Sequence, residues 1–353
     1  MYPALAVMRA LGDRADVLWV GGEGGMEAAL VHRAGIAFEA IPAAGVHGVG
    51  LRALPGNLWR LARGTAAAAK VIRRFQPEAL FFTGGYVAVP VAVAGWRLPK
   101  AVYVPDVEPG LALKVLARMA DVVTVTTEAS LCYYPPRRKA VVTGYPTRPE
   151  LEGLVKEQAR QRLGLPASGP VLLAFGGSRG ARSINRALWG CLPAILERAH
   201  VVHITGELDW SEVEPVRGRL ARGLAERYHP HAYLHEDMAA ALAAADLAVS
   251  RAGASTLGEF PLFGLPAVLV PYPHAWRYQK VNAGYLAANG AAVCLNDEDL
   301  PEKLAPAVLE LLGDSGRLAS MSAAARRLAR PSAAQAIASE ILGLLQTQGG
   351  RHD

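Results

Sequence analysis

The run VLLAFGGSRG at residues 171–180, continued by ARSINRAL at 181–188, decides the fold of this chain. Five apolar residues with no polar alternate predict a strand covered on both faces. A glycine turn follows, and then a helix whose first peptide N–H groups have no intrahelical acceptor. Such a helix start presents free donors and a positive dipole end to an anion, for which a diphosphate is the natural guest. A glycine turn of this kind can equally serve to pack a helix closely on a sheet. The Ser178 hydroxyl and the nearby Arg148 guanidinium, both suited to phosphate oxygens, favour the anion.

Working outward, short apolar runs at 17–20, 79–82, 101–104, 122–125, 201–204, 247–250 and 267–270 alternate with Ala/Leu/Arg-rich helical stretches. This βα alternation predicts an α/β protein with doubly wound parallel sheets. The 353 residues, 52% hydrophobic and 19% charged, suffice for the cores of two such domains. Residues 144–165, with Tyr145-Pro146 and Arg148-Pro149 ahead of a charged helix, read as the hinge. The expected domains are 1–147 and 148–331, followed by an amphipathic helix from 333 to about 346 whose apolar face needs a partner. At its start the chain passes from Met1-Tyr2-Pro3 straight into a helical pattern over 4–11. The strand and phosphate-facing turn with which a doubly wound domain opens are missing from the pattern.

The three cysteines, Cys132, Cys191 and Cys294, have no metal or redox spacing and fit a reducing cytoplasm. The longest apolar run, 87–96, is too short to span a bilayer, and no signal segment opens the chain, so a soluble or peripheral protein is expected. The formal net charge is +6, and its excess lies in the first half: residues 1–148 carry 17 Lys/Arg against 10 Asp/Glu. No acid stands between Glu39 and Glu78, while Arg52, Arg60, Arg63, Lys70, Arg73 and Arg74 alternate with Leu51, Leu54, Leu58, Trp59, Leu61 and Phe75. This is a basic amphipathic helix, readable either as a solvated face or as an interfacial helix on an anionic membrane. Nucleic acid is disfavoured, because no helix-turn-helix, zinc or aromatic-platform pattern accompanies the charge.

Two further runs carry chemistry. RAGASTLGE at 251–259 follows the strand at 247–250 and opens a helix; its small residues let a ligand approach the backbone. Glu259 could accept hydrogen bonds from two ribose hydroxyls, or could simply favour the helix dipole as a first-turn acid. PYPHAWRYQKVN at 271–282 carries His274 and Gln279, whose amide suits sugar hydroxyls. His229, His231 and His235 lack a Cys or acid to complete a zinc set. Asp297-Glu298-Asp299 formally matches a metal-binding Asp-x-Asp, but its place before Leu300-Pro301-Glu302 makes helix capping the preferred reading. No metal or other cofactor is expected.

In this order the motifs resemble the MurG family of GT-B glycosyltransferases, which adds N-acetylglucosamine to undecaprenyl-diphospho-muramoylpentapeptide. The resemblance runs through YPALAV at 2–7, GGMEAALVHRAGI at 24–36, TGGYVAVP at 83–90, PGLALKVLARMAD at 109–121, GYPTR at 144–148, GGSRGARSIN at 176–185, RAGASTLGE at 251–259 and the segment 279–282. It implies two Rossmann-like domains facing a cleft, with UDP-GlcNAc as donor and no required metal. By position, Ser178 and Arg148 would hold the diphosphate, the backbone at His235 would face uracil, and Ala254, Ser255, Thr256, Leu257, Gly258 and Glu259 would cradle phosphate and ribose. Gln279 would bind the transferred sugar. The family's apolar patch ringed by basic residues would map onto Leu54, Leu58, Trp59, Arg60, Arg63, Arg73 and Arg74, placing the protein on the cytoplasmic face of the cell membrane. The closing helix, 332–353, would pack back on the first domain.

Two departures accompany the resemblance. The family's first-domain glycine loop, ending in a histidine proposed as general base, stands ahead of the YPALAV-like helix and is not in this chain; a longer gene product is expected. Asp106, in Tyr103-Val104-Pro105-Asp106, takes the place of the family's Asn. His274 and Asp106 are the substitutes for the missing base that the sequence offers. The alternatives are a catalytically impaired nucleotide-sugar-binding partner and a UDP-GlcNAc 2-epimerase-like enzyme; a dinucleotide dehydrogenase is disfavoured for want of G-x-G-x-x-G with a following acid.

Overall fold

The computed structural model describes residues 1–25, 27–43, 54–177, 180–235, 237–274 and 277–349. Two compact units form: Met1–Arg148 with Pro331–Asp353, and Pro149–Arg330. The division falls after Arg148 rather than before it. The Arg148 guanidinium carbon sits 5.0 Å from the centre of the Tyr2 ring, which ties this residue to the first unit instead of letting it open the second.

The first unit runs α1 (Tyr2–Leu11), β1 (Leu18–Gly22), α2 (Glu27–Arg33), β2 (Ala37–Ile41), α3 (Leu54–Phe75), β3 (Leu80–Phe82), α4 (Ala88–Ala94), β4 (Lys100–Val104), α5 (Leu111–Met119), β5 (Val122–Val125) and β6 (Ala140–Val142). Its strands form two parallel sheets, β1-β2 and β3-β4-β5-β6. Every residue of β4 and β5 is buried, Lys100 and Thr124 included, as in strands covered by helices on both faces. Ile41, Ala68, Phe82, Val91, Val102 and Leu116 share one core, which joins the two sheets through α3 and α4.

The second unit runs α6 (Lys156–Arg162), β7 (Val171–Phe175), α7 (Arg182–Leu196), β8 (His200–Ile204), α8 (Val213–Arg217), α9 (Arg222–Ala225), β9 (Tyr228–His231), α10 (Met238–Ala244), β10 (Leu247–Ser250), α11 (Thr256–Phe263), β11 (Ala267–Leu269), α12 (Tyr278–Ala288), β12 (Ala292–Cys294), α13 (Leu300–Gly313) and α14 (Ser315–Arg327). Its strands make a single parallel sheet in the order β12-β11-β10-β7-β8-β9. Leu172, Ala174, Leu188, Val201, Val249 and Leu304 lie in its main core. The last helix, α15 (Ala333–Gly349), belongs to the first unit, where it packs on α1 and also meets β4. Ile337 and Ala338 are fully buried there.

Four strands escaped the sequence reading: β2, β6, β9 and β12. Each is short or crossed by polar residues, such as Glu39 in β2 and His229-Pro230-His231 in β9. Pro230 is tolerated because β9 is an edge strand.

Candidate nucleotide-binding site

Chain order and strand order part company between β7 and β10. From β7 the chain lays β8 and β9 to one side, then returns to lay β10, β11 and β12 on the other. At such a switch point the connections leave the strand ends in opposite directions and open a crevice beyond the carboxyl edge, where ligands of open α/β sheets bind. The glycine turn follows β7 and the small-residue turn follows β10. Phe175 and Ser250, the last residues of these strands, are register partners, so the two turns stand side by side. Ser250 is also paired with Leu269, which brings the 271–279 segment to the same edge.

Glycine is obligatory in the first turn. Gly177 has φ +97° and Gly180 φ +75°, and a Cβ on Gly180 would overlap the Thr205 carbonyl. This close approach seats the amino end of α7 against the end of β8. Ser178 lies outside the described residues.

A buried polar chain fixes the start of α7. Asn185, wholly buried, donates from Nδ2 to the Thr205 carbonyl and to Asp209 Oδ2, both at 2.8 Å. Arg182 Nε donates to Asp209 Oδ1 at 2.7 Å. With both Asn185 amide hydrogens so used, its Oδ1 must accept, and His203 Nε2 is the donor at 3.0 Å. His203 Nδ1 then accepts from the Tyr228 hydroxyl at 2.9 Å, and that oxygen accepts from Trp189 Nε1 at 3.0 Å. Burial pushes His203 down to about 3, so it stays neutral and keeps this polarity, while burial pushes the Tyr228 phenol up to about 12.

Arg251 clasps the second turn. Its guanidinium donates to the Val270 carbonyl at 3.1 Å, to Ser183 Oγ at 2.7 Å and to Asp297, and lies over the Tyr272 ring. Ser183 Oγ in turn donates to Asp297 Oδ1 at 2.7 Å. One side chain thus joins the ends of β10 and β11, the first turn of α7 and the loop before α13. Contrary to the expected helix capping, Asp297 of the acidic triplet serves this clasp. Asp297 receives Arg251 and Ser183, and Asp299, the residue before α13, makes no side-chain capping bond; it accepts instead from Asn296 and Lys303. Arg251 and Asn185 stand inside the motifs quoted above, but their partners lie 19 to 68 residues away, so local sequence carried no signal of the clasp.

Of the expected binding residues, Ala254 and Ser255 are half-buried in the turn, and Thr256, Leu257, Gly258 and Glu259 are buried in the first turn of α11. Thr256 Oγ1 donates to the Gly253 carbonyl at 2.7 Å, and Asn282 of α12 holds the Ala252 carbonyl at 3.2 Å. Gln279 is half-buried; its Oε1 accepts the Tyr272 N–H at 2.9 Å, so part of the amide braces its own loop. His274, exposed, sets its ring edge-on to Tyr272. His235 is exposed beyond β9, its ring 4.5 Å from that of Tyr233. His229 stacks on His200 with Nε2 3.1 Å from Nδ1, a pairing within the sheet.

The remaining candidates lie in the first unit. Asp106 is half-buried just past β4, and Arg148 stacks on Tyr2. On α3, Trp59 is 62% exposed with Arg63 over its ring at 4.8 Å, and Arg60 and Arg73 are exposed. Arg74, also exposed, pairs with Glu39 of β2. Leu54 and Leu58 fall within α3, but their side chains lie outside the described residues. Among the described residues no helix is long and apolar enough to cross a membrane.

Family models describe residues 1–125 as a glycosyltransferase family 28 N-terminal domain and 171–337 as a glycosyltransferase family 28 C-terminal domain. The chain is 41% identical to the UDP-N-acetylglucosamine–N-acetylmuramyl-(pentapeptide) pyrophosphoryl-undecaprenol N-acetylglucosamine transferase of Roseiflexus sp. (strain RS-1), over 96% of this chain and 91% of the relative. The protein of that name from Desulforudis audaxviator is 39% identical over 99% and 96% of the two chains. The crystal structure of Acinetobacter baumannii MurG superposes with a TM-score of 0.76 at 26% identity, covering 97% of this chain and 95% of the other. A UDP-GlcNAc 2-epimerase from Neisseria meningitidis shares the fold, with a TM-score of 0.69 at 13% identity over 97% and 96% of the chains.

Proposed function

The chain belongs to the MurG family within glycosyltransferase family 28, and from that premise we propose how its residues divide the work of the transfer. The protein is a UDP-N-acetylglucosamine-dependent N-acetylglucosaminyltransferase that takes the lipid-linked muramoylpentapeptide as acceptor and serves peptidoglycan synthesis. The second unit holds the donor. Its diphosphate lies on the Gly176–Gly180 turn and the amino end of α7, and Glu259 takes the ribose hydroxyls. The observation that carries this reading is the register pairing of Phe175 with Ser250, which puts the two turns together at the switch point of the sheet. The amide of Gln279 meets the transferred sugar, and the backbone near His235 meets uracil.

In the reaction the acceptor 4-hydroxyl oxygen bonds to the anomeric carbon from the face opposite the diphosphate. The bond from that carbon to the diphosphate oxygen breaks, and uridine diphosphate leaves with the electron pair. Oriented peptide N–H groups at a helix start stabilise the departing charge without a metal. The hydroxyl proton needs an acceptor, for which His274 and Asp106 are the side chains to test. The first unit faces an anionic membrane through α3: exposed Trp59, stacked under Arg63, and exposed Arg60 and Arg73 suit headgroups and the acyl boundary.

The deciding experiment follows labelled N-acetylglucosamine from UDP-GlcNAc to a lipid-linked muramoylpentapeptide analogue. Acceptor-dependent label in the lipid product supports the transferase. Epimerisation of UDP-GlcNAc at C2 without acceptor would replace it by the epimerase alternative, and donor binding with neither reaction by a binding partner.

A further inference from the structure

At the carboxyl edge of the first unit's larger sheet, two buried hydroxyls hold the peptide that leads into Asp106. β4 and β5 end in register, Val104 opposite Val125, and the chain continues from them as Pro105-Asp106 and as Thr126-Thr127. Thr126 is 3% exposed and Tyr103 is wholly buried. Thr126 Oγ1 lies 2.8 Å from the Tyr103 hydroxyl, 2.8 Å from the Pro105 carbonyl oxygen and 3.2 Å from that of Val104.

Proton counting gives these bonds a direction. A carbonyl oxygen only accepts, so the single hydroxyl hydrogen of Thr126 goes to Pro105, the nearer carbonyl, and the Tyr103 hydroxyl must donate to Thr126. Tyr103 keeps that hydrogen: burial above all, with Tyr145 and Asp106 adding to it and the Thr126 bond opposing, raises the phenol well above its ordinary value. The bonds therefore run from Tyr103 to Thr126 to the Pro105 carbonyl. Two restraints meet at that residue. Its ring holds φ at about −65°, and the bond to its carbonyl holds the plane of the peptide it shares with Asp106. Asp106, half-buried and beyond the last register pair of β4, thus starts from a backbone fixed in place.

We propose that Thr126, oriented by Tyr103, is a positioning residue for Asp106: it fixes the peptide ahead of that carboxylate so that Asp106 meets the acceptor hydroxyl at hydrogen-bond distance. The proposal rests on the reading of Asp106 as the proton acceptor of the transfer. In the step it supports, the acceptor oxygen bonds to the anomeric carbon as its O–H bond breaks, and the hydrogen passes to an Asp106 carboxylate oxygen. The bond from the anomeric carbon to the diphosphate breaks at the same time, and the diphosphate keeps the electron pair. Thr126 gives up no proton in this step; it acts only on where Asp106 stands. Placement of this kind weighs heavily on rate, since a shift of about 1 Å at a reacting group costs on the order of a hundredfold.

The test measures transfer of labelled N-acetylglucosamine to the lipid-linked acceptor analogue, together with thermal unfolding. Thr126→Val keeps the shape and removes the donor; it is expected to lower kcat about tenfold or more with KM for UDP-GlcNAc little changed, and Thr126→Ser to restore most of the loss. In an Asp106→Ala chain the same Thr126→Val change is expected to lower kcat no further, while the melting temperature falls equally in both backgrounds; a purely structural role gives no such loss of coupling. The residual rate stays measurable with label, because a general base contributes about 10²–10⁴-fold. Should Thr126→Val fail to fold, Tyr103→Phe is read the same way, with a smaller loss of kcat that again vanishes beside Asp106→Ala. Full kcat in Thr126→Val where Asp106→Ala is impaired overturns the proposal and leaves the reading of Asp106 standing. Equal losses in both backgrounds also overturn it, since Thr126 would then act on something other than Asp106. A kcat indifferent to Asp106→Ala, or a parent chain without transfer, removes that reading and the proposal together.

Discussion

Glu259, proposed to hold the ribose, and Arg251, which clasps protein groups, stand eight residues apart, the one in the first turn of α11 and the other just past β10. A buried carboxylate in the first turn of α11 suits paired ribose hydroxyls, and losing a hydrogen bond to a charged group costs about 1.5–3 kcal/mol. Glu259→Ala is therefore expected to weaken uridine diphosphate binding by about tenfold to a hundredfold by calorimetric titration, with Glu259→Gln between the two. An unchanged affinity would remove Glu259 from the site. Arg251→Ala should act through stability first, because it strands Asp297 and Ser183 among partly buried groups, at a cost of about 3 kcal/mol. Arg251→Lys should recover little, since an ammonium does not reproduce the fork that reaches Ser183 and the Val270 carbonyl together. Thermal unfolding of the two variants measures this.

At the scale of elements, the approach of the glycine turn to β8 and the buried chain behind α7 set where the helix begins. Gly180→Ala puts a methyl group onto the Thr205 carbonyl in a left-handed backbone, at about 2 kcal/mol or more. Both the melting temperature and uridine diphosphate affinity should fall. The histidines give this unit an acid limit. Burial lowers His203 to about 3 and, with neighbouring His200 and His231, lowers His229 to about 4; in an unfolded chain both titrate near 6.5. Between these values the unfolded state binds more protons than the folded one. Stability is thus full above about pH 6.5 and is lost as pH falls toward 4, each histidine contributing a slope of up to about 1.4 kcal/mol per pH unit. His203→Gln should flatten the decline of melting temperature from pH 6.5 to 4.5, while lowering stability at pH 7.5. A slope as steep as that of the parent would mean that another group carries the acid sensitivity.

At the scale of the whole molecule, charge is sorted between the halves of the chain, and the surplus is displayed on α3. Each arginine near an anionic surface is worth about 1 kcal/mol, so Arg60→Gln with Arg63→Gln should weaken binding to phosphatidylglycerol vesicles about thirtyfold in low salt. Arg74→Gln should change it less, because that guanidinium already pairs with Glu39. Flotation that is indifferent to all three would detach the helix from membrane binding. The sequence by itself determined the α/β class, the parallel strands β4, β5, β7 and β10, the glycine turn and the small-residue turn. Those features are written in contiguous residues: an apolar run, a glycine, a helix start. Only the tertiary structure decided that the two turns are neighbours, that Asp297 answers Arg251 rather than capping a helix, and that Asn185 and His203 brace α7. Each of these depends on which strand lies beside which, a choice made by burial and edge pairing between segments far apart in the chain, and no local pattern encodes it.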